Sequence, residues 1–154
     1  RGPGTSQGRA PQAVSHSVAI VGTNVVVAGL LTASDESAAA RILDGMLAAA
    51  FRFAVSEALL AEYHAVLVQP SLRKLHGLTV AEVETILTDL AQHAIVLVPV
   101  DAAPAPDPGD QLLRDLVAAR ADLVLVTGDK RLIRDVGLQG RVVPPSSFIS
   151  GGQP

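Results

Sequence analysis

Three acids, Glu62, Asp110 and Asp129, stand in local settings that suit a shared acidic site. Asp129 follows the apolar run Leu123 to Val126 through Thr127 and Gly128, so it falls at the carboxyl end of a buried strand. Asp110 lies near the start of a helix opened by Asp107 and Pro108. Glu62 comes three residues after Leu59 and four before Val66, on the edge of their helical stripe, where a carboxylate needs a partner. Thr23 and Asn24 follow another apolar run, Val18 to Val21, and join the same rim. Hard oxygen donors of this kind suit Mg²⁺ or Mn²⁺ better than zinc. Clustered carboxylates with such ions serve phosphodiester hydrolysis, one ion activating water and a second stabilising the leaving oxygen. Each residue also has a structural reading: Asp129 as a helix N-cap, Asp110 as a helix-dipole acid, Glu62 as half of an ion pair, Thr23 and Asn24 as turn residues.

The elements that must carry these residues alternate in type. The first strand is expected over about Val18 to Val27. A loop with Thr32, Ser34 and Asp35 supplies a cap for the next helix, which sets Ile42, Leu43, Met46, Leu47 and Ala50 on one face. Phe51 to Val55 reads as a short strand. Ser56 caps a helix bearing Leu59, Leu60, Tyr63, Val66 and Leu67, which Pro70 ends. Leu72 to Leu75 suits a single helical turn. Thr79 and Glu82 form a capping box ahead of a stripe of Val80, Val83, Ile86, Leu87 and Leu90. Ile95 to Val98 is a further strand, and Pro99 to Pro108 must be a loop. The helix opened by Asp107 buries Leu112, Leu113, Leu116 and Val117. Leu123 to Val126 is a strand, Lys130 to Val136 a short helix, and Arg141 to Val143 a last extended piece.

Strands alternating with helices argue for an α/β fold, a three-layer α/β/α sandwich around a mostly parallel, Rossmann-like sheet. Ligands of such sheets sit outside the carboxyl ends of the strands. The 154 residues suit one domain over 17–149, with 1–16 a disordered arm or appended remnant and 150–154 a disordered tail. Hydrophobic residues reach 49% but aromatics only 3%, so the core is aliphatic, as parallel strands covered on both faces require.

Composition also excludes functions. A net charge of −3 gives no global basic field for nucleic acid, although Arg73, Lys74, Lys130 and Arg131 are candidates for local RNA contact. There is no cysteine, hence no thiolate metal site, and the four histidines show no zinc spacing. The apolar runs are shorter than the roughly 18 residues of a membrane span. The first residues lack the apolar core of a signal peptide, and a cytoplasmic protein is expected. A phosphoacceptor domain would need an acidic pair after the first strand, and the glycines fit neither phosphate-loop nor dinucleotide spacing.

In order along the chain, Val21-Gly22-Thr23-Asn24-Val25, Ser56-Glu57-Ala58-Leu59-Leu60-Ala61-Glu62, Asp107-Pro108-Gly109-Asp110 and Val126-Thr127-Gly128-Asp129 resemble a PIN domain, over about Val18 to Phe148. The subgroup most similar is the bacterial PIN toxins of toxin–antitoxin systems (VapC-like). The resemblance implies a Mg²⁺- or Mn²⁺-dependent endoribonuclease. It makes Glu62, Asp110 and Asp129 the catalytic and metal-site acids and Thr23, Asn24 and Thr127 supporting polar residues. It also implies an RNA substrate, a homodimer and a small antitoxin partner. One position departs: Gly22 stands where the family pattern has an aspartate that binds metal. Weak metal binding and little or no cleavage are therefore expected, and the alternative is a PIN-fold module that acts only through antitoxin binding or self-association.

Overall fold

The computed structural model describes residues 17–138 and 140–152. The arm expected over 1–16 thus lies outside the described residues except where it meets Ser17.

Strand β1 (Val18–Val21) is buried along its whole length and stops there, because its parallel partner stops in register, Val21 opposite Val126. Helix α1 (Thr23–Leu31) begins at once, so the expected strand to Val27 is corrected: Val25 and Val26 are buried by a helix. A short β-branched run fits either element by pattern alone, and packing decides. Here the deciding contact is α2 (Ala38–Leu47), which crosses α1 so closely that a Cβ on Gly29 would lie 2.8 Å from the Ala39 carbonyl oxygen. Ser37, and not a residue of the 32–35 loop, caps α2 by accepting from the Ala40 N–H at 3.1 Å. Ile42, Leu43 and Met46 are buried, whereas Ala50 falls beyond the helix and is exposed.

Strand β2 shrinks to Ala54–Val55, joined to β1 by a bridge between Ala19 and Phe53. Helix α3 (Glu57–Leu67) is capped by Ser56, as its sequence predicts, and buries Leu59, Tyr63 and Leu67. Pro70 does more than end it: it opens α4 (Pro70–His76), a seven-residue helix in place of the expected single turn, closed by Gly77 at φ 73°. The Thr79–Glu82 capping box forms in full at the head of α5 (Val80–His93), whose Val83, Leu87 and Leu90 are buried while Val80 is exposed. Strand β3 is only Ile95–Val96, and Val98, expected in it, is 85% exposed. Asp107 caps a 3₁₀ turn (Pro108–Asp110) that runs into α6 (Gln111–Val117). Then come β4 (Leu123–Val126), α7 (Lys130–Ile133), a 3₁₀ turn (Val136–Leu138), β5 (Val142–Val143) and α8 (Pro145–Gly152). Helix α7 is shorter than the expected 130–136 segment, and α8 carries Ser150 to Gly152, placed in the tail by sequence.

All strand pairs are parallel, and the bridge at Ala19 joins them in the order β3-β2-β1-β4-β5. The fold is a three-layer α/β/α sandwich. Successive connections step outward from β1 to one side, then restart at β4 on its other side. The strand order therefore reverses between β1 and β4, and the connections leaving their paired carboxyl ends run to opposite sides of the sheet, which opens a crevice there.

Candidate functional site

The two strands that flank the crevice end at Val21 and Val126, so the residues after them are delivered to it by the sheet itself. A cleft of about 140 Å³ opens at this point, lined by Gly22, Thr23, Asn24, Glu62, Asp110, Thr127 and Asp129 together with Gly109, Leu113 and Leu132. Four separate chain segments thus meet, and every site residue anticipated from sequence faces one cleft. Leu113, expected from sequence only as a core position, and Leu132, which the sequence reading did not single out, form its apolar wall.

Each polar residue has a definite setting. Glu62 finds its partner not in a cation but in the Thr23 hydroxyl, which donates to Oε2. The next residue, Tyr63, is fully buried, and its hydroxyl donates to the Val21 carbonyl at the end of β1. Burial, with a smaller push from the Glu62 charge, raises the Tyr63 phenol far above its ordinary pKa. The buried Thr127 accepts from the Asp129 N–H at 3.1 Å through Oγ1, which fixes the turn that presents Asp129. Asp129 also plays the structural part available to it: Oδ1 accepts from the Arg131 N–H at 2.9 Å as N-cap of α7.

The Arg131 side chain closes over that carboxylate. Its Nη2 donates to Asp129 Oδ2 at 2.9 Å and its Nε to Oδ1 at 3.3 Å, while Nη1 reaches Asp107 Oδ2 at 2.6 Å. These bonds hold Asp129 below the usual carboxylate range, the guanidinium contact being the largest cause. Asp107 is lowered too, first by the Gly109 N–H and then by Arg131. Asp110 differs in kind. Its side chain does not cap α6, and partial burial raises its pKa, with Asp107, Asp129 and Asp135 adding repulsion that Arg131 opposes.

Gly22 is buried, caps α1 without a side chain, and has φ −62° and ψ 149°, backbone that any residue adopts. A Cβ there would lie 3.2 Å from Asn24 Oδ1, 3.3 Å from the Val126 carbonyl oxygen and 3.5 Å from the Thr127 Cβ. Its conformation therefore does not demand glycine, and a side chain at this position would enter between Asn24 and Thr127 after a shift of a few tenths of an ångström.

The donor set matches a hard cation in type, since it is all oxygen. In arrangement it does not fit one. Among the described residues no group of three or more His, Cys, Asp or Glu side chains is disposed to hold a metal ion. Glu62 is bonded to Thr23, both Asp129 oxygens are taken up by Arg131, and Gly22 supplies no side-chain oxygen.

Arg131, a candidate for RNA contact by sequence, is engaged at the cleft, whereas Arg73 and Lys74 line a separate surface cleft of about 390 Å³ with Pro70 and Thr79. No helix among the described residues is long and apolar enough to cross a membrane.

A protein-family model described as PIN domain matches residues 18–131. No curated protein and no solved structure matches the chain.

Proposed function

The chain belongs to the PIN domain family, and from that membership we propose a divalent-metal-dependent endoribonuclease of the bacterial PIN-toxin type, weakened or silenced here by glycine at position 22. PIN domains are generally metal-dependent nucleases. The finer reading is supported above all by the convergence of Glu62, Asp110 and Asp129 on one cleft at the switch point of the sheet. The open backbone geometry of Gly22, beside Asn24 and Thr127, supports reading it as a lost ligand position. The substrate on this reading is single-stranded or structured RNA, the ion Mg²⁺ or Mn²⁺, the form a homodimer and the setting the cytoplasm, with a small antitoxin as partner.

What the chain's own groups do is limited and specific. Thr23 orients Glu62, and Thr127 orients Asp129. Asp110 lines the same cleft without a capping hydrogen bond of its own.

The test is restoration. Gly22→Asp is expected to cleave single-stranded RNA with Mg²⁺ or Mn²⁺ where the parent does not, and Asp110→Asn in that background to abolish cleavage. A restored protein inert on varied RNAs in both ions would overturn the nuclease reading.

A second reading keeps the fold and drops catalysis, the protein acting through antitoxin binding or self-association. Gly22 and the Arg131–Asp129 pairing favour it. Capture of a small co-encoded partner, combined with no measurable ion binding even in Gly22→Asp, is its expected signature.

A further inference from the structure

We propose that the Arg131 guanidinium is the resident cation of this cleft, holding Asp129 in a forked ion pair that any divalent ion must first displace. The inference rests on reading Asp129 as a metal-site acid. Its support is geometric. One guanidinium spans two carboxylates, with Nη2 and Nε on the two oxygens of Asp129 at 2.9 and 3.3 Å and Nη1 on Asp107 at 2.6 Å. The backbone N–H of the same residue takes Asp129 Oδ1 as well. A planar fork of this kind matches carboxylate geometry as a lysine ammonium does not.

The placement follows from local structure. Asp129 caps α7, so the side chain two residues on is turned back over the cap. Asp107, at the head of the 3₁₀ turn that carries Asp110, anchors the far end of the fork. Arg131 thereby bridges the two segments that bring Asp110 and Asp129 to the cleft. It also supplies positive charge to a group of acids that would otherwise repel one another. A divalent ion arriving at Asp129 exchanges one counter-charge for another and gains only the difference. The Arg131 side chain is 64% exposed, so each pair is individually weak, and two together amount to about tenfold in an equilibrium constant.

The probe is Mn²⁺ alone, its free concentration followed by electron paramagnetic resonance, titrated into the full chain as parent, Arg131→Gln and Lys130→Gln. Lys130 is exposed, adjacent in sequence and makes no ion pair among the described residues, so its loss removes the same charge without opening the fork. Circular dichroism checks that all three are folded. The expected result is a gain of about tenfold in Mn²⁺ affinity for Arg131→Gln and no more than about twofold for Lys130→Gln. Equal shifts in the two variants, or none in Arg131→Gln, would overturn the proposal. The nuclease reading fails separately: a Mn²⁺ gain in Arg131→Gln beside an RNA-inert Gly22→Asp sinks that reading alone. Cleavage by Gly22→Asp without the Mn²⁺ gain sinks this one alone.

Discussion

The Thr23 hydroxyl donates a hydrogen bond to Glu62 Oε2, tying the first residue of α1 to the middle of α3 across 39 positions of sequence. The bond satisfies a half-buried carboxylate and at the same time sets one wall of the cleft. Hydrogen bonds to charged groups contribute about 1.5–3 kcal/mol. Thr23→Val is expected to lose about 1–2 kcal/mol in urea denaturation, and Thr23→Ser to recover most of it. Equal stability of all three proteins would show that the bond does not hold the site.

Tyr63 secures the neighbouring wall. Its hydroxyl meets the Val21 carbonyl, one residue before Gly22, in a fully buried setting. Tyr63→Phe leaves the packing and removes only the donor, so a cost of about 1–2 kcal/mol is expected by the same denaturation. Unchanged stability would mean that the carbonyl is satisfied without it.

Gly22→Asp adds a carboxylate beside Glu62 and Asp110 and an acceptor at an N-cap that lacks one. N-capping favours the variant by a few tenths of a kcal/mol over glycine, and repulsion opposes it, so its metal-free stability should stay within about 1 kcal/mol of the parent. The difference should emerge with metal. A ligand that binds only the folded state raises its melting temperature. Millimolar Mn²⁺ is expected to raise the melting temperature of Gly22→Asp and leave the parent nearly unmoved. Identical responses would remove position 22 from the ion site.

Asp110 should weigh on stability as pH rises. Because partial burial raises its folded pKa, the folded protein holds that proton more tightly than the unfolded chain does. The group's contribution is whole below the ordinary carboxylate pKa of about 3.9 and is lost as pH climbs through the raised value. Asp110→Asn should therefore exceed the parent in stability at neutral pH, the gap closing below about pH 4. Asp107 and Asp129, whose pKa values are lowered, act with the opposite sign: their contribution is present above the ordinary value and fades as pH falls. Urea melts of parent and Asp110→Asn across this range check the sign, and a gap that widens toward acid would refute it.

Gly29 sets how closely α1 and α2 approach. A Cβ there would sit 2.8 Å from the Ala39 carbonyl oxygen and 3.1 Å from the Leu43 Cβ, so the helices must separate to admit it. Gly29→Ala is expected to cost about 1–3 kcal/mol despite alanine's better helix propensity. A gain in stability would show that the crossing has slack.

Local chemistry alone determined much of this protein. The Ser56 cap, the Thr79–Glu82 box, the turn at Asp107 and the buried strand Leu123–Val126 depend on neighbours a few residues away, and each formed where its residues predict. The alternation of these elements carried the parallel three-layer sandwich. The candidate acids were legible because strand ends and helix heads have marked positions in sequence, and the chain brought Glu62, Asp110 and Asp129 to a common cleft. Tertiary packing decided the rest. Val25 to Val27 carry no local preference strong enough to choose between strand and helix, and the register of β1 with β4 and the close crossing of α2 chose helix. The partners of the carboxylates were equally hidden, because Thr23 reaches Glu62 across 39 residues and Arg131 reaches Asp107 across 24. A residue's type states which bonds it can make; which of those bonds form, and so whether an acid is free to receive a cation, depends on contacts that only the folded chain creates.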